Sequence, residues 1–137
     1  MTSTNTARTH TILVRQPEDI VAVRQIVREW AVQAGFNLLD QTKIVTAASE
    51  LARNMVDFAG GGVVEIEELH ESERVGIKVT FEDHGPGMPD VQLALRDGYT
   101  TGSGLGLGLG GARRLVNDFQ ITSEVGKGTR ITIVRWR

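Results

Sequence analysis

Apolar residues recur along this chain with two different periods, and the changes between them mark out its elements. Ile20, Val23, Val27, Trp30 and Ala34 stand three or four positions apart, which is the spacing of one helical face. Pro17 suits the first turn of that helix, Glu18 and Asp19 suit its dipole, and Gly35 ends it. Asn37 then reads as the N-cap of a second helix, with Asp40 three residues on. Its stripe is Ile44, Ala48, Leu51, Met55 and Phe58, and the run Gly60, Gly61, Gly62 stops it. Elsewhere the period is two. Strands are predicted at 11–15, 63–69 and 74–81, the last because Val75, Ile77, Val79 and Phe81 alternate with small or polar residues. Residues 70–73 form the hairpin loop between the second and third strands. A short helical patch is expected over 90–96, a loop over 98–108 and a helix over 109–118. Strands at 120–125 and 129–136 close the chain around Gly126-Lys127-Gly128.

This order, β-α-α-β-β-(α)-loop-α-β-β, predicts an α+β fold: a two-layer α/β sandwich whose mixed, largely antiparallel sheet carries its helices on one face. Residues 1–10 are polar and Thr-rich and read as a flexible tail, with a single domain over 11–137. The 137 residues suffice for one hydrophobic core, and 40% hydrophobic with 23% charged residues is ordinary for a globular domain. A net charge of −2 gives no overall basic field to recruit nucleic acid or anionic lipid. No apolar run approaches the ~20 residues of a spanning helix, and residues 1–10 lack a signal-peptide core, so a cytoplasmic location is expected. There is no cysteine, which removes disulfides, thiolate metal sites and cysteine nucleophiles together.

Three clusters can carry chemistry. Glu50 and Asn54 lie one helical turn apart, beside the apolar stripe and outside it. A carboxylate there can accept a proton, and an amide oxygen can hold Mg²⁺, a hard ion that prefers oxygen. Taken alone, such a pair is more often just the solvated face of an amphipathic helix. Asp83 sits where the strand over 74–81 runs out and is followed by Gly85 and Gly87, so it can accept a hydrogen bond from an adenine amino group; an Asp opening an ordinary turn is an equal reading. The segment 100–111 (TTGSGLGLGLGG) frees successive backbone N–H groups to converge on an anion just before a helix N-terminus. Flexible linkers rarely interleave residues such as Leu105, Leu107 and Leu109. Gly106, Gly108 and Gly111 fit G-x-G-x-x-G, but they follow a loop and lead into a terminal hairpin, which excludes a dinucleotide fingerprint. There is no Walker P-loop.

In combination, an E-x-x-x-N helix, D-x-G-x-G after a strand, and a G-x-G-L-G-x-G lid before a helix resemble the N, G1 and G2 boxes of the GHKL ATPase/kinase superfamily. The resemblance spans nearly the whole chain. Within the superfamily it is closest to the small anti-sigma and RsbT-like serine/threonine switch kinases, through Ser49-Glu50-Leu51-Ala52-Arg53-Asn54, the segment Glu82 to Asp90, Asp97-Gly98-Tyr99-Thr100-Thr101, the lid, Arg113-Arg114-Leu115, and Gly128-Thr129 leading to Arg135-Trp136. The lid departs from such proteins at Gly110, where they often carry proline, and its Gly-Leu-Gly-Leu-Gly also suits a histidine kinase; the chain has no room for a phosphoacceptor hairpin. The resemblance implies ATP and Mg²⁺ as cofactors. Glu50 is then the general base and Asn54 the metal ligand. Asp83 binds adenine with help from Thr129, Gly85 and Gly87, while Gly102, Gly104, Gly106, Gly108 and Gly110 belong to the phosphate lid. It implies a STAS-domain antagonist as substrate, with a phosphatase, another effector or a sigma factor downstream, and neither nucleic acid nor membrane as partner. The rival readings are an anti-sigma factor kinase that sequesters a sigma factor, and a non-catalytic ATP-binding adaptor. His84 sits at a variable position of its box and is expected to be exposed.

Overall fold

The computed structural model of the chain describes residues 3–96 and 108–137. Two helices, α1 (Pro17–Gln33) and α2 (Leu38–Ala59), form where the helical periods place them. The Asp19 carboxylate accepts from the backbone N–H groups of Arg15 and Gln16 at 2.8 and 3.2 Å, securing the start of α1. Asn37 caps α2, its Oδ1 accepting from the Asp40 N–H at 2.8 Å, and Gly60 ends it in the left-handed region at φ 74°.

The strands are β1 (Thr4–Val14), β2 (Gly62–Glu71), β3 (Arg74–Asp83), β4 (Asp118–Glu124) and β5 (Gly128–Trp136). They form one sheet in the order β1-β2-β3-β5-β4, and every pairing is antiparallel. Val64, Ile66, Ile77, Val79, Phe81, Ile131 and Ile133 present one apolar face, against which Val23, Val27 and Trp30 of α1 and Ile44, Ala48, Leu51 and Met55 of α2 are buried. Alternate residues such as Glu65, Glu67, Lys78 and Thr132 point the other way. This is the predicted two-layer architecture. Two short helices, α3 (Val91–Ala94) and α4 (Gly108–Arg114), join β3 to β4. No helix among the described residues is long and apolar enough to cross a membrane.

The structure corrects the sequence expectation in four places. The tail expected over residues 1–10 is strand from Thr4 onward, paired with β2 from Thr4 opposite Glu71 to Val14 opposite Gly62, with one register shift between Thr6 and Arg8. Polar contacts hold it: Thr6 Oγ1 donates to Glu67 at 3.1 Å, and Arg8 pairs with Glu68 at 3.1 Å while its guanidinium lies 4.0 Å from the Trp30 ring centroid. Burial pushes the Glu68 carboxyl up, but the hydrogen bond from His70 and the charge of Arg8 outweigh it and hold the group below the usual carboxylate range. That contribution is present at neutral pH and is lost as pH falls through the lowered pKa.

Phe58 does not extend the buried stripe and is 42% exposed. In the last turn of α2 the inward positions are taken by Met55 against Gly62 and by Ala59 against Gly85. The loop of the β2–β3 hairpin is tighter than 70–73, because Glu71 still pairs with Arg74 and Ser72 makes the turn at φ 53°. The helix expected over 109–118 ends at Arg114, because Asn117 has already joined the sheet: its N–H donates to Val134 O at 2.9 Å and its Oδ1 accepts from Trp136 N–H at 2.7 Å.

These burial differences give a direct test. Leu51→Ala, at a residue 2% exposed, should cost about 2–5 kcal/mol of unfolding free energy. Phe58→Ala should stay within about 1 kcal/mol, as expected of a partly exposed side chain away from the core. Urea denaturation of the two variants beside the parent measures both.

Candidate functional site

Because Leu51 and Met55 point into the core, the helical period turns Glu50 and Asn54 to the flank of α2. That flank is not solvated in the way an exposed polar pair would be: Glu50 is buried, at 7% exposure, and Asn54 is half-buried. A buried carboxylate needs partners. Glu50 Oε1 accepts from the Gly108 N–H at 3.3 Å, and Oε2 lies 3.8 Å from Arg53 Nη1. The first residue of α4 is thereby tied to the middle of α2.

Asp83 is the last residue of β3 and stands opposite Thr129 on β5. Its Oδ1 accepts two backbone hydrogen bonds, from Gly85 N–H at 2.9 Å and from Thr129 N–H at 3.2 Å. The carboxylate therefore locks the DHGPGMP segment onto the neighbouring strand with one oxygen. Gly128 permits the approach: it is buried at φ 104°, and a Cβ on it would sit 2.1 Å from Asp83 O.

A second tether runs through Ser123 of β4. Its Oγ accepts from Met88 N–H at 2.8 Å and donates to Gly128 O at 3.2 Å, which leaves the Thr129 hydroxyl, 2.8 Å away, to donate to it. Gly126 N–H donates to Pro86 O at 2.9 Å. Gly85 packs so closely on α2 that a Cβ there would lie 2.5 Å from the Ala59 Cβ.

The two halves of the site are thus mounted on one helix. The Asp83–Gly85 turn meets α2 at Ala59, and Gly108 meets it at Glu50, nine residues and about 13 Å along the axis. Asn54 lies between. Among the described residues no three acidic or histidine side chains cluster as a metal cage. A single amide oxygen does fit Mg²⁺, which keeps much of its water and takes substrate phosphates as ligands.

Of the glycines expected in the lid, Gly102, Gly104 and Gly106 lie outside the described residues. Gly108 opens α4. Gly110 lies within it, buried where a Cβ would come 2.4 Å from Leu95 O, so close packing against the end of α3 already requires glycine. The far end of α4 is fixed by Arg135, which donates to Leu115 O at 2.9 Å and to Asp40 Oδ1 at 2.6 Å. His84 is exposed, as expected.

Two residues of the site were given no role by the sequence reading. Arg53 carries its signal in its spacing, i+3 from an acid on a predicted helix. Ser123 carries none, because it meets Met88 and Thr129 only through the register of the β4–β5 hairpin.

Comparison with known proteins points the same way. The family model described as "Histidine kinase-, DNA gyrase B-, and HSP90-like ATPase" matches residues 39–137. The chain is 45% identical, over 118 residues, to the serine/threonine-protein kinase RsbT of Bacillus subtilis (strain 168); the match covers 86% of this chain and 89% of that protein. The fold is similar, at a TM-score of 0.64 and 24% identity, to the crystal structure of the RsbU and RsbW domains of a Mycobacterium tuberculosis protein. That match covers 96% of this chain and 33% of the larger one, and at such identity it speaks for the fold alone.

Ser123→Ala should cost about 1–3 kcal/mol, because it strips the Met88 N–H of its acceptor in a part-buried place. Thr122→Ala, at the exposed neighbouring position, should change stability by less than about 0.5 kcal/mol. Urea unfolding midpoints of the pair check the tether.

Proposed function

The chain belongs to the histidine kinase-, DNA gyrase B- and HSP90-like ATPase family, and from that membership we propose that it is an ATP- and Mg²⁺-dependent serine/threonine protein kinase of a partner-switching pathway. The observation that carries the reading is the mounting of both halves of the site on α2. Asp83 stands at one end, the Glu50–Gly108 contact at the other and Asn54 between them. An elongated ligand laid along the helix meets a carboxylate, then an amide oxygen, then a second carboxylate beside backbone N–H groups. That sequence of groups suits an adenine amino group, a metal-bound triphosphate and an acceptor hydroxyl. The 45% identity to a serine/threonine kinase supports the choice of acceptor.

In this reading Asp83 receives the adenine amino hydrogen while its Oδ1 stays bonded to Gly85 and Thr129. Asn54 would hold Mg²⁺, whose charge neutralises the phosphates. Gly85 and Gly87 let that turn pack on Ala59 and on Glu124, and the glycine-rich segment would offer backbone N–H groups to the phosphates. Glu50 accepts the proton of a serine or threonine hydroxyl on the partner protein. The hydroxyl oxygen bonds to the γ-phosphorus as its bond to the β–γ bridging oxygen breaks, and that electron pair leaves with ADP. Little more is asked of the chain, since phosphoryl transfer depends mainly on positioning and charge neutralisation. The substrate is a STAS-domain antagonist, and after phosphorylation the same docking surface is released for a downstream effector.

Transfer of labelled γ-phosphate to a STAS-domain partner tests this. Glu50→Gln should lower the rate by about 10²-fold, near the low end for a lost general base because the transition state is loose. Asn54→Ala should abolish Mg²⁺-dependent transfer with circular dichroism unchanged. Equal transfer by the parent and Glu50→Gln would contradict the assigned base; ATP binding without any transfer would favour an adaptor.

A further inference from the structure

The buried carboxylate of Glu50 has two anchors, and they differ in kind. Oε1 takes the Gly108 N–H at 3.3 Å, from α4; Oε2 faces Arg53 at 3.8 Å, one turn further along α2. Gly108 lies within the glycine-rich segment 100–111 and is the first residue of α4. Its amide is therefore among the donors a phosphate group would claim, and one N–H cannot fully serve two anions. Arg53 is independent of that competition. Its side chain is 47% exposed, and its helix is fixed to the sheet through Leu51 and Met55.

We propose that Arg53 is the positioning residue of the site, the group that keeps Glu50 paired when nucleotide takes the Gly108 N–H. The inference rests on the nucleotide-binding half of the proposed function and not on phosphoryl transfer. Its logic is the cost of stripping a buried carboxylate of its partners. In the nucleotide-free chain either anchor suffices; with nucleotide bound only Arg53 remains.

The test is a double-mutant cycle on Mg-ADP affinity by titration calorimetry, with circular dichroism confirming that each variant is folded. Arg53→Ala should weaken Mg-ADP by about two- to five-fold, the scale of a partly exposed ion pair, and Arg53→Lys should recover most of the loss. In a Glu50→Ala background the Arg53→Ala change should have no further effect, because nothing is left to anchor. Parent-like affinity of Arg53→Ala overturns the proposal. So does a loss of equal size in both backgrounds, which would place Arg53 on the nucleotide itself. A parent protein that binds no Mg-ADP overturns the proposed function and this inference together, whereas binding by the parent without coupling between the two residues overturns this inference alone.

Discussion

The seating of α2 on the sheet is the constraint from which the site follows. Ile44, Ala48, Leu51 and Met55 must all face Val64, Ile66, Ile77, Val79, Phe81, Ile131 and Ile133, and every one of these residues is almost fully buried. Once that stripe is down, the 3.6-residue period leaves Glu50 and Asn54 no freedom: they stand on the flank, at fixed height, facing the edge of the core. The same seating brings Ala59 against Gly85 and so fixes the distance of the Asp83 turn from Glu50. A helix whose one face is core thus holds the side chains of its flank on a rigid mount.

The sheet secures the Asp83 side in a different way. Asp83 holds a neighbouring strand and its own turn through a single oxygen, and the register of β3 against β5 puts Thr129 within reach of it. The β4–β5 hairpin then stitches the proline- and glycine-rich segment down through Ser123 and Gly126. A segment with no regular secondary structure is thereby held at three backbone points, Gly85, Pro86 and Met88, beside the Asp83–Thr129 contact. Arg135 does the same for the end of α4, joining Leu115 to the first turn of α2.

The parts of this arrangement that were legible in the sequence are those encoded by local period. The two long helices, their caps at Asn37 and Gly60, and the alternation that sets β3 from Arg74 to Phe81 follow from spacing and turn chemistry, while its last two residues, to Asp83, do not. The order of the motifs, set beside a known superfamily, singled out Glu50, Asn54 and Asp83 as candidates, and the structure puts Glu50 and Asn54 on the flank of α2 and Asp83 at the end of β3. What depends on pairing across distant segments was not legible. The strand from Thr4 to His10 has a polar composition because it lies at an edge and is held by Glu67, Glu68 and Trp30, far away in the chain. Ser123 acts through register, and Gly110 is fixed by packing on Leu95. Phe58 shows the opposite error, a residue on the right period beyond the point where the sheet could cover it.

The central claim is that a nucleotide lies along α2 with its base on Asp83. Thermal unfolding of the parent chain and of Asp83→Asn, with and without millimolar Mg-ADP, tests it most directly. The amide oxygen of an asparagine can still accept from Gly85 and Thr129, so the variant keeps its fold, but its NH₂ group faces the adenine amino group donor to donor. At a ligand concentration a hundredfold above Kd the parent should gain about 2.7 kcal/mol and melt several degrees higher. The variant, compared with its own melting curve in the absence of nucleotide, should lose most of that gain. A parent melting curve unchanged by nucleotide, or an equal shift in both proteins, would contradict the account.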